Sequence, residues 1–265
     1  MSDDLDFPHL HPETYGYTDR EQPFHDILDV LGPMSHVQPV PEEEIEEYQG
    51  RLPDGLLQFW RENGRGALLN GYGWICDPKE FKGVLEAVFE GDPEYRADEF
   101  IPYFYGFDGR IDAWSPRCST TVIDLTGFQP RVDPYGEAPH LESDGTIKTP
   151  DFAVGHTLRR IGLRLLHDRA DDFDQFTEAS RKLGQLQPGE IFGFFPPRQM
   201  EGEGYVEDMR RVQAVEHLLL HTQLGRPTLT RYIVDPDDLA YPMGRIEAVR
   251  PLGPQEQPPN GGTGP

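Results

Sequence analysis

The sequence predicts an α+β protein: an antiparallel sheet flanked by helices, in two closely associated subdomains. Three observations predict it. Residues 100–107, 110–114 and 120–125 are strand-like runs in immediate succession, with Asp108-Gly109 as a hairpin signal between the first two. Apolar stripes at helical spacing flank this meander, with Leu56, Leu57, Phe59 and Trp60 before it and Leu158, Ile161, Leu165 and Leu166 after it. Composition agrees: 28 Gly, 26 Pro and 36% hydrophobic residues indicate a loop-rich chain, and 11% aromatics supply a core. A chain of 265 residues has room for one large domain or two small ones.

The elements follow in order. Residues 1–20 are polar and aromatic-spotted, an extended arm. Residues 25–31 form a short helix stopped by Gly32-Pro33. Pro41 opens a second helix with Glu42, Glu43 and Glu44 at its positive end, Glu46 and Glu47 outside, and Ile45 and Tyr48 inward. Pro53 and Asp54 start the third, and Asn63-Gly64 ends it with a left-handed residue. Leu68-Leu69 and residues 72–74 read as strand. Asp77-Pro78 opens a helix running to Phe89, with Phe81, Leu85, Val88 and Phe89 buried, and Gly91-Asp92-Pro93 ends it.

After the meander, residues 127–150 are either a long loop or a ragged hairpin through His140 and Ile147. A helix over 154–167 follows, with Arg159, Arg160 and Arg164 off its apolar face. Another spans 171–183, with Phe173 and Phe176 inward. Residues 191–195 form a short buried strand. The longest helix is expected over 205–224, with Met209, Val212, Val215, Leu219 and Leu220 inside, and a strand over 229–234 after it. The expected units are an acidic, flexible extension (1–37), a first domain (38–130), a second α+β domain (131–250) and a disordered tail (251–265).

The net charge of −23 is the most informative composition figure, and more than half of it lies in the first fifty residues. Such a field repels nucleic acid and anionic membrane and speeds association with a basic partner; solubility alone is the competing explanation. Direct nucleic-acid binding is excluded as a main activity. Cys76 and Cys118 make no CxxC pair and no disulfide framework, and they read as small buried hydrophobes in a reduced cytoplasm. The first residues have no basic and apolar leader, and no apolar run reaches the length of a membrane span.

The catalytic inventory is empty. His217 and His221 share a helix face, but Leu218 stands where a zincin needs Glu, and ordinary helix packing explains the pair better. His9 and His11 near Asp3, Asp4 and Asp6 lie in the arm, without preorganisation. Asp171, Asp172 and Asp174 lack the Gly and terminal Glu of an EF-hand and suit a helix N-terminus. No nucleophile elbow, P-loop or dinucleotide fingerprint occurs, so no catalytic residue, metal ligand or cofactor is expected.

Two blocks carry a family resemblance. The order Pro41…Ile45…Tyr48…Leu52-Pro53…Leu56-Leu57…Trp60…Gly64…Gly66…Gly71…Trp74…Asp77-Pro78…Phe81 resembles the GAD-like domain of bacterial proteins, and more loosely the SUKH superfamily. Gly189-Glu190-Ile191-Phe192-Gly193-Phe194-Phe195-Pro196-Pro197, followed by Val212-Gln213-Ala214-Val215-Glu216-His217-Leu218, resembles the C-terminal domain paired with GAD-like domains in type VI secretion immunity proteins. The chain departs from that pattern in its acidic extension before residue 38 and in the polar run from Met200 to Gly204. The resemblance implies a non-enzymatic cytoplasmic immunity protein that neutralises a cognate effector by stoichiometric occlusion, with a DNase as the candidate effector.

The expected partner is therefore a basic toxin, and the expected contact surface is acidic. Four acidic clusters stand out, at 42–47, 92–99, 171–174 and 201–208. Of these, Asp171, Asp172, Asp174, Glu201, Glu203, Glu207 and Asp208, with Tyr205 as an aromatic anchor, are the candidate partner-binding residues. A regulatory interaction module of the same fold is the alternative, and a metal-dependent hydrolase using His217 and His221 is the third reading.

Overall fold

The computed structural model describes residues 22–134, 149–166, 170–200, 202–233 and 245–255. The arm over 1–20 and the 135–148 stretch of the expected loop lie outside the described residues. The first helices form where capping and apolar spacing predict them: α1 (Ile27–Leu31), α2 (Glu42–Glu47) and α3 (Asp54–Asn63), with β1 (Ser35–Gln38) between the first two. Gly64 ends α3 with φ 75° and ψ −161°, positive φ but not the left-handed helical cap expected from Asn63-Gly64. Only glycine suits that backbone, and a Cβ there would run into the carbonyl of Gln38 in β1.

Next come β2 (Arg65–Leu68), β3 (Gly73–Ile75) and α4 (Lys82–Val88), the last preceded by a 3-10 turn that Asp77 caps by accepting from the Lys79 amide at 2.9 Å. The predicted meander is present as β4 (Ile101–Gly106), β5 (Ile111–Ser115) and β6 (Ser119–Asp124), followed by a short unpredicted strand, β7 (Arg131–Asp133). Ile101 through Tyr105 are all buried, without the alternation of a half-exposed strand, because elements cover both faces of the sheet there.

In the second half, α5 (Pro150–Leu166) and α6 (Ala170–Leu183) confirm the predicted helices, and β8 (Glu190–Phe194) the predicted strand. The long helix expected over 205–224 is not formed. Val206–Asp208 is a 3-10 turn, Met209–Gln213 is a strand (β9), and only Ala214–Leu224 is helical (α7); among the described residues α5 is longer. The physical reason is pairing: buried β8 needs a partner for its backbone groups, and β9 supplies it from Phe194↔Met209 to Glu190↔Gln213. Starting later, α7 turns Ala214, His217, Leu218 and His221 inward, and Leu220, expected inside, is 42% exposed.

The chain ends in β10 (Thr228–Ile233) and an unpredicted strand, β11 (Arg245–Pro251), and Leu252 beyond it is buried. The larger sheet runs β1-β2-β3-β4-β5-β6-β7-β10-β11, antiparallel except where β10 lies parallel to β7. Thr230 stitches that junction, donating to the carbonyl of Val132 and the carboxylate of Asp133. Sequence-neighbouring strands are mostly neighbours in space, as short connections require.

One apolar core serves both halves. Phe176 of α6 lies 5.5 Å from Tyr72 and 5.3 Å from Phe107, and the Phe192 amide donates to the Phe107 carbonyl at 2.7 Å. Arg159, expected off the apolar face of α5, is buried and paired with Asp26 at the start of α1, because α5 is covered by α1 and α3. Cys76 and Cys118 are buried free thiols, and burial raises the pKa of both. Among the described residues no helix is long and apolar enough to cross a membrane.

Candidate interaction surface

Tertiary contacts divide the acidic clusters into two kinds. On α2, Glu42 pairs with Arg61 at 2.7 Å, Glu44 with Arg65 at 2.9 Å and Glu47 with Lys79 at 2.5 Å. The segment 92–99 is used in the same way: Asp92 and Glu94 hold Arg250, Asp98 holds Arg96, and Glu99 holds Arg117. Glu44 and Asp92, in the covered pairs, fasten the scaffold, whereas Glu43 and Glu46 are exposed and form no ion pair among the described residues.

The remaining two clusters meet. Gln175 in the second turn of α6 donates to the carbonyl of Gly204 at 2.8 Å, and Lys182 near its end reaches Glu207 at 2.6 Å. The sequence-predicted Asp172 and Asp174 on α6 are thereby brought beside Glu203, Tyr205, Glu207 and Asp208 in the loop after β8. Glu201 and the side chain of Asp171 lie outside the described residues. Among the described residues Asp174 and Glu203 are exposed and form no ion pair, whereas Glu207 shares Lys182 with Glu178, and that hydrogen bond lowers its pKa. The exposed Arg210 beside them turns its guanidinium onto the carbonyls of Glu207 and Met209.

The loop is a built structure. The Phe195 amide donates to the Asp208 carbonyl, and the Met200 amide to that of Pro197, both at 2.8 Å, while the Gln199 side chain donates to the Leu125 carbonyl at 2.5 Å. Arg198 is its internal brace. Its guanidinium carbon sits 3.7 Å from the Phe194 ring centroid and 5.3 Å from that of Phe128, and Nη2 donates to Gln175. Burial lowers the Arg198 pKa against the pull of Asp108, Asp124 and Asp172; burial and Asp124 raise that of Asp108. Gly204, at φ 80°, lets the backbone pass against Arg198 and Phe128, where a Cβ would lie 3.0 Å from the Arg198 side chain.

Sequence reasoning missed three residues here. Phe128 (60% exposed), Phe195 (42%) and Met200 (58%) join the predicted Tyr205 (60%) as exposed large apolar side chains on or against this one loop. A period-two reading of Phe192-Gly193-Phe194-Phe195 would have set Phe195 opposite its buried neighbours. Nothing local marks Phe128.

His217 and His221 are buried, with their Nε2 atoms 3.0 Å apart and the Phe195 ring 5.4 Å from His217. Burial, then the neighbouring imidazole, takes the His217 pKa down to about 4. Among the described residues no group of three His, Cys, Asp or Glu side chains is placed to hold a metal ion.

Comparison with known families now places the chain. Residues 22–126 match the GAD-like domain, and residues 164–225 match the T6SS immunity protein Tdi1, C-terminal. The chain is thus similar to a GAD-like domain in its first half and to a Tdi1-type C-terminal domain in its second. A crystal structure of Atu4351 from Agrobacterium tumefaciens has the same fold, with a TM-score of 0.71 at 24% identity over 88% of this chain and 100% of that one. No curated protein matches. The Tdi1-type segment supports an immunity role and contains α6, the braced loop and α7; Phe128 lies just past the GAD-like segment.

Proposed function

We propose that the protein is a non-enzymatic immunity protein that binds a cognate type VI effector one-to-one and blocks it. The effector is a basic protein of nuclease type, met in the cytoplasm. One observation carries the reading: within the segment similar to an immunity protein, exposed Asp174 and Glu203, which form no ion pair among the described residues, lie with a braced, aromatic-bearing loop. A nuclease must present positive charge to phosphates, and an acidic occluder competes for that surface. Carboxylates on the loop steer the encounter, and apolar side chains hold the complex.

The test uses the toxin domain of the effector that the purified protein captures from a lysate of its own organism. The expected result is loss of toxin activity that reaches completion at one equivalent, with association slowed by salt. Catalytic rather than stoichiometric inactivation, or no effect at any ratio, refutes it.

A further inference from the structure

The surface described above holds two kinds of group, and charge alone does not explain both. Four large apolar side chains, Phe195, Met200 and Tyr205 on the loop and Phe128 against it, remain exposed, while internal backbone bonds and the stack of Arg198 on Phe194 hold the loop in shape. Among the described residues the other large exposed hydrophobics sit singly or in pairs on other elements: Val37 on β1, Leu220 and Leu224 on α7, Ile246 and Val249 on β11. Scattered residues of that sort are ordinary; a set gathered on one preorganised loop marks a binding site. Preorganisation matters because a loop already held in shape loses little further freedom when a partner docks.

We propose that Phe128, Met200 and Tyr205, with Phe195 beside them, form the energetic centre of the effector interface, and that Asp174, Glu203, Glu207 and Asp208 are its rim. The inference rests on the immunity reading above and specifies the contact. It also joins Phe128, which follows β6 just past the GAD-like segment, to three residues of the Tdi1-type segment. Arg198, between the rings of Phe194 and Phe128, ties the two contributions together. The occupant is a cationic segment of the effector that presents an aromatic or aliphatic side chain to the loop, with Arg or Lys on either side. Charge complementarity selects it, because Asp174 and Glu203 form no ion pair among the described residues and face a partner uncompensated.

The experiment measures Kd for the catalytically inactivated toxin domain of the effector that the wild-type protein captures from a lysate of its own organism. Phe128→Ala, Met200→Ala and Tyr205→Ala are compared with Val37→Ala and Val249→Ala, exposed residues on other elements. Phe195 is left unaltered because its ring also packs on His217. The expected result is a loss of about thirtyfold or more for Tyr205→Ala and for at least one of the other two, mostly in dissociation rate, with thermal midpoints unchanged for Met200→Ala and Tyr205→Ala and the controls at wild-type affinity. Benzoylphenylalanine placed at 205 or 249 gives a second readout without truncating the loop. Cross-linking from 205 and none from 249 supports the proposal. Affinities within about threefold of wild type for all three variants, or cross-linking from 249 alone, overturn it and leave the immunity reading standing. No binding by the wild-type protein overturns both.

Discussion

Replacing Asp92 by alanine tests whether the acids of segment 92–99 belong to the scaffold and not to the partner surface. The Asp92 side chain has 0% exposure and ties the α4–β4 connection to the end of β11. It accepts from both terminal nitrogens of Arg250, at 2.5 and 3.0 Å, and from the amides of Gly253, Glu94 and Tyr95 at 2.9, 3.0 and 3.0 Å. Burial opposes ionisation, but these bonds outweigh it and hold the carboxyl well below the usual carboxylate range. Alanine leaves a guanidinium that is 19% exposed with Glu94 as its acidic partner among the described residues, and three amides lose their acceptor. Breaking a buried pair costs about 3–5 kcal/mol, and the partial exposure of Arg250 puts the expectation near the lower end, about 3 kcal/mol. In a chain of this size that lowers the thermal midpoint by on the order of 10 °C. The assay is urea unfolding followed by fluorescence of Trp60, Trp74 and Trp114, all buried, alongside effector affinity, which should not change. Arg250→Ala added to Asp92→Ala should cost much less than Arg250→Ala alone. Because the folded pKa is depressed, the stabilisation is complete above the unfolded value of about 3.9 and is lost as pH falls through the folded one. The gap between wild type and variant is therefore flat across neutral pH and closes only in strong acid. A loss under about 1 kcal/mol, the scale of a surface pair, or weakened binding at unchanged stability, would refute the assignment.

Other outcomes follow from the same contacts. Arg198→Lys keeps the charge but loses the planar stack between Phe194 and Phe128; limited proteolysis should cut the 195–208 loop faster, and effector affinity should fall about tenfold. His217 has a folded pKa of about 4 and that of His221 is also lowered by burial, so their contribution is whole above the unfolded value of about 6.5 and fades as pH falls towards 4. The carboxyls of half-buried Asp108 and buried Asp133 have pKa values raised by desolvation and slope the opposite way. The quantity to measure is therefore the difference in unfolding free energy between wild type and the His217→Gln/His221→Gln variant. It should shrink by about 3 kcal/mol or less between pH 7 and pH 4, and a pH-independent difference contradicts the assignment. Glu203→Lys should shift stability by no more than about 0.5 kcal/mol yet slow effector association at low salt, whereas Glu46→Lys on α2 should do neither; stopped-flow rates at two ionic strengths decide it.

Local chemistry carried much of this fold in the sequence. Pro41 and Pro53 before their helices, the Leu56–Trp60 stripe, Asp77 as a cap and the Asp108-Gly109 turn act within a few residues, so their effects are visible from spacing alone. The two family blocks were legible for the same reason, being runs of adjacent residues. Where a segment had two acceptable local conformations, tertiary structure chose between them. Residues 209–213 fit helical spacing, but β8 required a neighbour and made them a strand. β11 lacked a local signal because its partner is β10, across residues 234–244.

The interaction surface shows the same division more sharply. Sequence identified four acidic clusters and one aromatic anchor, but not which carboxylates remain free. That depends on where the cations fall: Arg250 reaches Asp92 across 158 positions, and Arg65 reaches Glu44 across 21. Phe128 joins Tyr205 only because Gly204 lets the loop fold against it. The sequence by itself therefore determined the fold class, the two family segments and the sign of the surface. Only the tertiary structure decided which acids are left for a partner and which rings stand among them, because ion pairing and exposure depend on distances in space that chain separation does not set.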